Sequence, residues 1–234
     1  MNLTNLLIVM VVATVIPTSP TTRLRSALGT VAKDPRCTSQ IALVTSRLAT
    51  YDQTIASARS YATTHQLTIT VIGQSHWMPG LDPSAEQVVR QSQDRILAEL
   101  ERRKPALVAM ENIEYETVRL SSIRRDLSVT LRLPPTKLQE AYRFLIEMQA
   151  PLGYLERHPA VTVMAADDRA LHELHALLLG FPMEGTSWNG INPIQTLERE
   201  VNQLRSELAL ARLIQRMSKS GLRTGVLVIG QNHL

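Results

Sequence analysis

Two histidines in this chain follow the same short phrase. Val71-Ile72-Gly73-Gln74-Ser75-His76 is echoed by Val228-Ile229-Gly230-Gln231-Asn232-His233, with 157 positions (233 minus 76) between the imidazoles. In each copy a β-branched apolar run breaks at a Gly and delivers a His three residues later, which is how a buried strand hands a side chain to a site. Other apolar runs end in charge. Ala106–Met110 ends in Glu111, and 160–165 discharges into Ala166-Asp167-Asp168-Arg169. Two imidazoles with one or two carboxylates suit a divalent zinc, manganese, iron or cobalt ion with a position left for water. Water bound to such an ion loses its proton near neutral pH, so metal-assisted hydrolysis is the chemistry this set points to. A metal-free version has a His–Glu pair activating water as general base, with Arg169 beside Asp168 stabilising developing negative charge. Each residue also has a structural reading. The histidines can be strand-end groups capped by neighbours, Glu111 a first-turn acid, and Asp168-Arg169 a helix start. His172 and His175, three apart on one helix face, would extend a metal site or simply meet solvent.

The elements that must carry these groups alternate. Apolar positions Ile41, Val44, Leu48, Tyr51, Ile55, Ala58 and Ala62 stripe a long helix from about 38 to 64. A strand over 67–72 follows, then a helix that starts near Asp82-Pro83-Ser84 and stops at Lys104-Pro105. The run 106–110 reads as a strand covered on both faces. Helical pieces follow, with a break at Leu133-Pro134-Pro135 and a helix over about 136–149, then a third strand at 160–165 and a helix over 171–179. A turn-rich stretch from Gly180 to Gly190 reads as a surface or lid loop. Ile194, Leu197, Val201, Leu204, Leu208 and Ala211 stripe a second long helix before the last strand, 226–229. Strands separated by helices imply crossovers and hence an α/β fold with a mainly parallel, possibly mixed sheet flanked by helices, the two long amphipathic helices packing together. In such a sheet functional groups collect beyond the carboxyl ends of the strands, so His76, Glu111, Asp168, Arg169 and His233 are expected on one rim.

Composition narrows the classes. With 44% hydrophobic residues in 234, the chain buries one sizeable core, expected over 37–234 as a single domain. The net charge of +4 is spread through interleaved Lys, Arg, Asp and Glu, with two Phe and two Trp, which argues against nucleic-acid binding. A single Cys, Cys37, forms no internal disulfide. Leu3 to Ile16 is almost wholly apolar and is followed by Pro17, Pro20, Arg23 and Arg25. That length matches a signal-peptide apolar region better than the roughly 20 residues of a membrane span. Residues 1–36 are therefore expected to be a signal or anchor segment and linker, with the protein secreted or associated with a membrane through residues 3–16.

The paired Gly-x-x-His motifs, the strand-end Ala-Met-Glu111, the Asp168-Arg169 pair and the Leu-Glu-Arg-Glu of the last long helix resemble the TraB/TIKI superfamily, which includes ChaN-like and erythromycin-esterase-like proteins. The resemblance covers roughly Leu67 to His233. It implies an α/β fold with a rim site. In the TIKI branch it implies a metal-dependent protease whose key residues correspond to His76, His233 and Glu111. The ChaN-like branch implies haem or iron handling without catalysis, and the esterase-like branch hydrolysis of a cyclic ester. Gln74 stands where ChaN-like and esterase-like members carry Glu, which favours the TraB-like branch; the substrate, a peptide or a small molecule, is left open.

Overall fold

The structure, a computed structural model, describes residues 9–10, 20–31, 35–75, 80–111, 117–132, 134–180 and 193–230. In chain order the elements are β1 (Val9–Met10), α1 (Pro20–Val31), α2 (Thr38–Thr64), β2 (Thr68–Gln74), α3 (Pro83–Arg103), β3 (Leu107–Met110), α4 (Leu120–Leu131), α5 (Pro135–Glu147), α6 (Ala150–Arg157), β4 (Thr162–Ala165), α7 (Arg169–Leu179), α8 (Pro193–Ser220) and β5 (Thr224–Gly230). The fold is α/β, as the alternation of strands and helices requires. It comprises two compact units. One is built from Met1–Val11, Leu67–Ala165 and Leu222–Leu234, the other from Val12–Gln66 and Ala166–Gly221.

The first unit holds the sheet, in the order β1-β2-β5-β3-β4. Strands β2, β5, β3 and β4 run parallel, and the short β1 adds an antiparallel edge through Val9↔Val71 and Met10↔Thr70. The first and last long strands are neighbours, paired without slippage from Thr68↔Thr224 to Gln74↔Gly230. Ile72, Val108, Met110, Val163, Val226 and Val228 meet Ile96 and Leu100 of α3, Ile123 of α4, Tyr142 of α5 and Leu152 and Leu155 of α6 in one cluster. The alternate strand residues Val71, Leu107, Ala109, Leu227 and Ile229 are buried too. Burial on both faces is why these strands read as continuous apolar runs.

Local chemistry sets the helix ends. Asp82 caps α3 by accepting from Ala85 N at 2.9 Å, with Pro83 in the first turn. At the other end Lys104 turns left-handed (φ 49°), donates its N–H to Leu100 O, and Pro105 follows. The helix expected over 136–149 is α5, and a separate helix, α6, follows it. α5 closes with Met148 N donating to Phe144 O, and α6 begins at Ala150. Pro151 falls in the first turn of α6, where a missing N–H breaks no intrahelical bond.

The second unit is helical. The expected packing of the long helices is present: α2 and α8, of 27 and 28 residues, pack against each other along Ile41, Val44, Leu48, Ile55 and Leu197, Val201, Leu204, Leu208. Residues 20–31 of the expected N-terminal segment form α1, which buries Leu24, Ala27, Leu28 and Val31 and pairs Arg23 Nε with Glu200 of α8 at 3.0 Å. Glu207, one side of α8, meets Arg59 of α2 at 3.0 Å, yet burial raises its carboxyl above the usual range against the pull of Arg59 and Arg23. Of the apolar stretch Leu3–Ile16, Val9 and Met10 form β1 and the rest lies outside the described residues. Among the described residues, no helix is long and apolar enough to cross a membrane.

Glu99 of α3 gives the first unit a pH signature. Hydrogen bonds from Arg102, aided by Arg103, hold its carboxyl at about 2, below the ordinary 4.5. The folded-state value is depressed, so the stabilisation is complete above the ordinary value and is lost as pH falls from there toward 2. Denaturant titration of wild type against Glu99→Gln should show the difference between them shrinking across that acid window, and no change of the difference with pH would contradict the assignment.

Candidate functional site at the carboxyl edge of the sheet

The repeated motifs leave the sheet side by side. Gly73 pairs with Ile229 and Gln74 with Gly230, so the two copies run parallel on adjacent strands with an offset of one residue. On the other flank of β5, Glu111 continues the ladder. Its backbone N–H donates to Val228 O at 3.3 Å, and the next donor along β5, Gly230 N–H, gives its hydrogen bond to the Glu111 carboxylate at 2.6 Å. A side chain thus replaces the backbone carbonyl that a longer β3 would have offered. Glu111 is 5% exposed, and a charged acceptor bonded this closely forms one of the stronger kinds of hydrogen bond.

Gln74 ends β2 at 1% exposure. Its neighbour Gln93 of α3 is fixed by two backbone groups: Oε1 accepts from Ala150 N at 2.8 Å, so Nε2 must be the end that donates to Ser75 O at 3.0 Å. That same Nε2 faces Gln74 Oε1 at 3.5 Å, which fixes the Gln74 amide in turn. Among the described residues, Gln74 Nε2 is then a buried donor without a hydrogen-bond partner. Ser92 Oγ accepts from Ser75 N at 3.2 Å, so α3 holds the strand end at two points.

His76 and His233 lie outside the described residues. For the metal they would share with Glu111, the described residues supply a buried carboxylate whose Oε2 accepts from Gly230 N–H. Among the described residues, no group of three or more His, Cys, Asp or Glu side chains is placed to hold a metal ion.

Asp168 and Arg169 belong to the second unit. Asp168 is the N-cap of α7, accepting from Ala170 N and Leu171 N at 3.1 and 3.3 Å. Its carboxylate also takes Tyr51 OH at 2.7 Å and Arg212 Nη2 at 2.7 Å, with Arg47 at 3.8 Å. Burial first, then the bond to Asp168 and its charge, push the Tyr51 hydroxyl above the ordinary tyrosine range, so it stays protonated and donates. Arg169 is exposed and reaches Glu173 at 2.7 Å, four residues on. Beside them Asp167 accepts Arg205 Nε and Nη2 at 3.0 and 2.5 Å, a bidentate pair with Arg205 3% exposed. Arg205 Nη1 lies 3.0 Å from His175 Nδ1. A guanidinium only donates, so this imidazole nitrogen accepts and its proton sits on Nε2, which leaves His175 unsuited to a metal. His172 Nδ1 lies between Asp167 Oδ2 at 3.2 Å and Arg205 Nη2 at 3.3 Å.

Reading by residue type alone misses Tyr51, Arg205, Arg212 and Gln93. Tyr51 passes for core because it occupies a stripe position. Arg205 and Arg212 are each one residue past a stripe position of α8, Leu204 and Ala211. That spacing of seven, with cations beside the apolar stripe, is the signal that points to partners on a packed face. Comparison with known protein families, with characterised proteins and with solved structures finds no match to this chain. The TraB/TIKI resemblance accordingly rests on the motif residues.

Substitutions at Glu111 and at the Arg205–Asp167 pair test these geometries. Glu111→Gln keeps an acceptor for Gly230 N–H and should cost little stability, whereas Glu111→Leu strands that buried donor and should cost about 1–3 kcal/mol in urea unfolding. Removing Arg205 alone (Arg205→Ala) should destabilise by about 3–5 kcal/mol. The double variant Arg205→Met with Asp167→Leu should recover part of that loss, and strict additivity of the two single changes would show that the pair is not coupled.

Proposed function

We propose that the carboxyl edge formed by β2, β5 and β3 is the active site of a metal-dependent hydrolase acting on a peptide or ester bond, with His76, His233 and Glu111 as the metal ligands. The observation that supports it is the in-register pairing Gln74↔Gly230 with the Glu111 carboxylate on Gly230 N–H. Adjacent strands are about 4.8 Å apart. In sequence His76 follows Gln74 by two residues and His233 follows Gly230 by three.

A divalent manganese, cobalt, zinc or iron ion would supply a water acidified toward neutrality and a Lewis acid for the scissile carbonyl. The chain's own groups divide the remaining work. Glu111 is held at the edge by the Gly230 hydrogen bond. Gln74 offers its unpartnered Nε2–H to a substrate oxygen while Gln93 keeps the amide from turning. Asp168, in the second unit, positions the start of α7. A non-catalytic haem- or iron-binding reading draws on Gln74, a neutral amide where a base would carry a carboxylate.

The test is metal analysis joined to a panel of peptide and ester substrates. Purified protein should take up a divalent ion and hydrolyse a member of the panel, and His76→Ala and His233→Ala should each lower metal affinity and turnover at least about 10- to 100-fold. Absence of metal uptake, together with turnover unchanged in His76→Ala, would overturn the reading. A Soret shift on haem addition that His76→Ala abolishes would transfer the site to the binding alternative.

A further inference from the structure

Three helix faces of the first unit enclose a cleft of about 600 Å³. The lining residues recur at helical spacing: Arg90, Gln93, Asp94 and Leu97 on α3; Gln139, Tyr142, Arg143, Ile146 and Glu147 on α5. α6 packs against both helices and supplies Ala150 and Gly153. Gly153 lies close to α5, where a Cβ would come into van der Waals contact with Ile146 O at 3.4 Å. The volume is that of a small-ligand site, about 300–1,000 Å³.

Its charges are not used evenly. Arg90 bridges α3 to α5 through Glu147 at 2.6 Å and is held by Glu86 at 2.9 Å. Arg157 reaches Glu101 at 3.4 Å, and Glu156 accepts from Tyr142 OH at 3.4 Å. One turn along α3 from Arg90 is Asp94, and one turn back along α5 from Glu147 is Arg143. This second opposite-charge pair lines the same cleft, and among the described residues neither side chain makes a hydrogen bond or ion pair. A cation on one wall and an anion on the other, with Tyr142, Leu97 and Ile146 between them, complement a molecule with an ammonium at one end, a carboxylate at the other and modest apolar bulk in the middle.

We infer that this cleft binds a short zwitterionic peptide, its free amino terminus on Asp94 and its free carboxylate on Arg143. The assignment is independent of the strand-edge site: it needs neither metal nor turnover, and Glu111 does not line the cleft.

Trialanine is the probe, with N-acetyl-trialanine and trialanine amide as controls, titrated calorimetrically into the full chain. Trialanine should bind saturably, and blocking either end should weaken it by about tenfold, the scale of one charge-assisted hydrogen bond. Asp94→Asn should weaken trialanine by a similar factor without affecting the N-acetylated control. Arg143→Gln should do the same without affecting the amide. Both side chains are exposed, so unchanged circular dichroism and melting will certify the fold. No saturable binding of trialanine, or binding that ignores both variants, overturns the inference.

Discussion

Everything at the candidate site follows from the register between β2 and β5. Parallel pairing has no turn to set it, so the match from Thr68↔Thr224 to Gln74↔Gly230 rests on two apolar runs that must both be buried. A slip of β5 by one residue would turn Val228 away from the cluster it shares with Ile72, Ile96 and Leu100. It would also move Gly230 away from Glu111. Packing in the sheet and the chemistry at its edge are thus decided by a single alignment.

Buried charge is handled differently in the two units. In the first, the buried Glu111 carboxylate accepts a hydrogen bond from a backbone N–H. In the second, Asp167 and Asp168 are surrounded by Arg205, Arg212, Arg47 and Tyr51, with each carboxylate oxygen given a donor. Buried pairs of this kind contribute little net stability against an apolar replacement, yet losing one partner is severe. Asp168 adds helix capping to the same carboxylate, so one side chain fixes both where α7 starts and what α8 presents to it.

Much of the α/β alternation is legible in the residues. Strands β2, β3, β4 and β5 are short apolar runs closed by Gly, Pro or charge, and α2 and α8 carry long three-four stripes. What escapes is less local. Pro151 reads as a helix breaker, although in a first turn it is harmless, and so α6 is hidden. The Pro- and Arg-bearing stretch after Ile16 reads as linker, because the four apolar residues of α1 are too few to stand out before their partner α8 is known. The candidate site is legible as residue types at strand ends; no local pattern says that β2 and β5 are neighbours, nor that a Glu side chain would finish the ladder of β3. The partners Arg205 and Arg212 are hidden for the same reason, being charged residues whose meaning depends on a helix more than thirty positions away.

The position of β5 also governs how the first unit assembles. Among the described residues it is the last strand in sequence, yet it sits between β2 and β3. Until it arrives, those two strands have no shared edge, and each exposes a row of unpaired N–H and C=O groups. The helices that pack on the sheet can form early, but the sheet cannot close before the final segment is inserted at its centre. Such long-range, parallel closure is slow and leaves open edges meanwhile. For this chain, folding of the sheet unit is completed by its carboxyl-terminal strand, and an emerging chain must keep two adhesive edges apart until that strand is available.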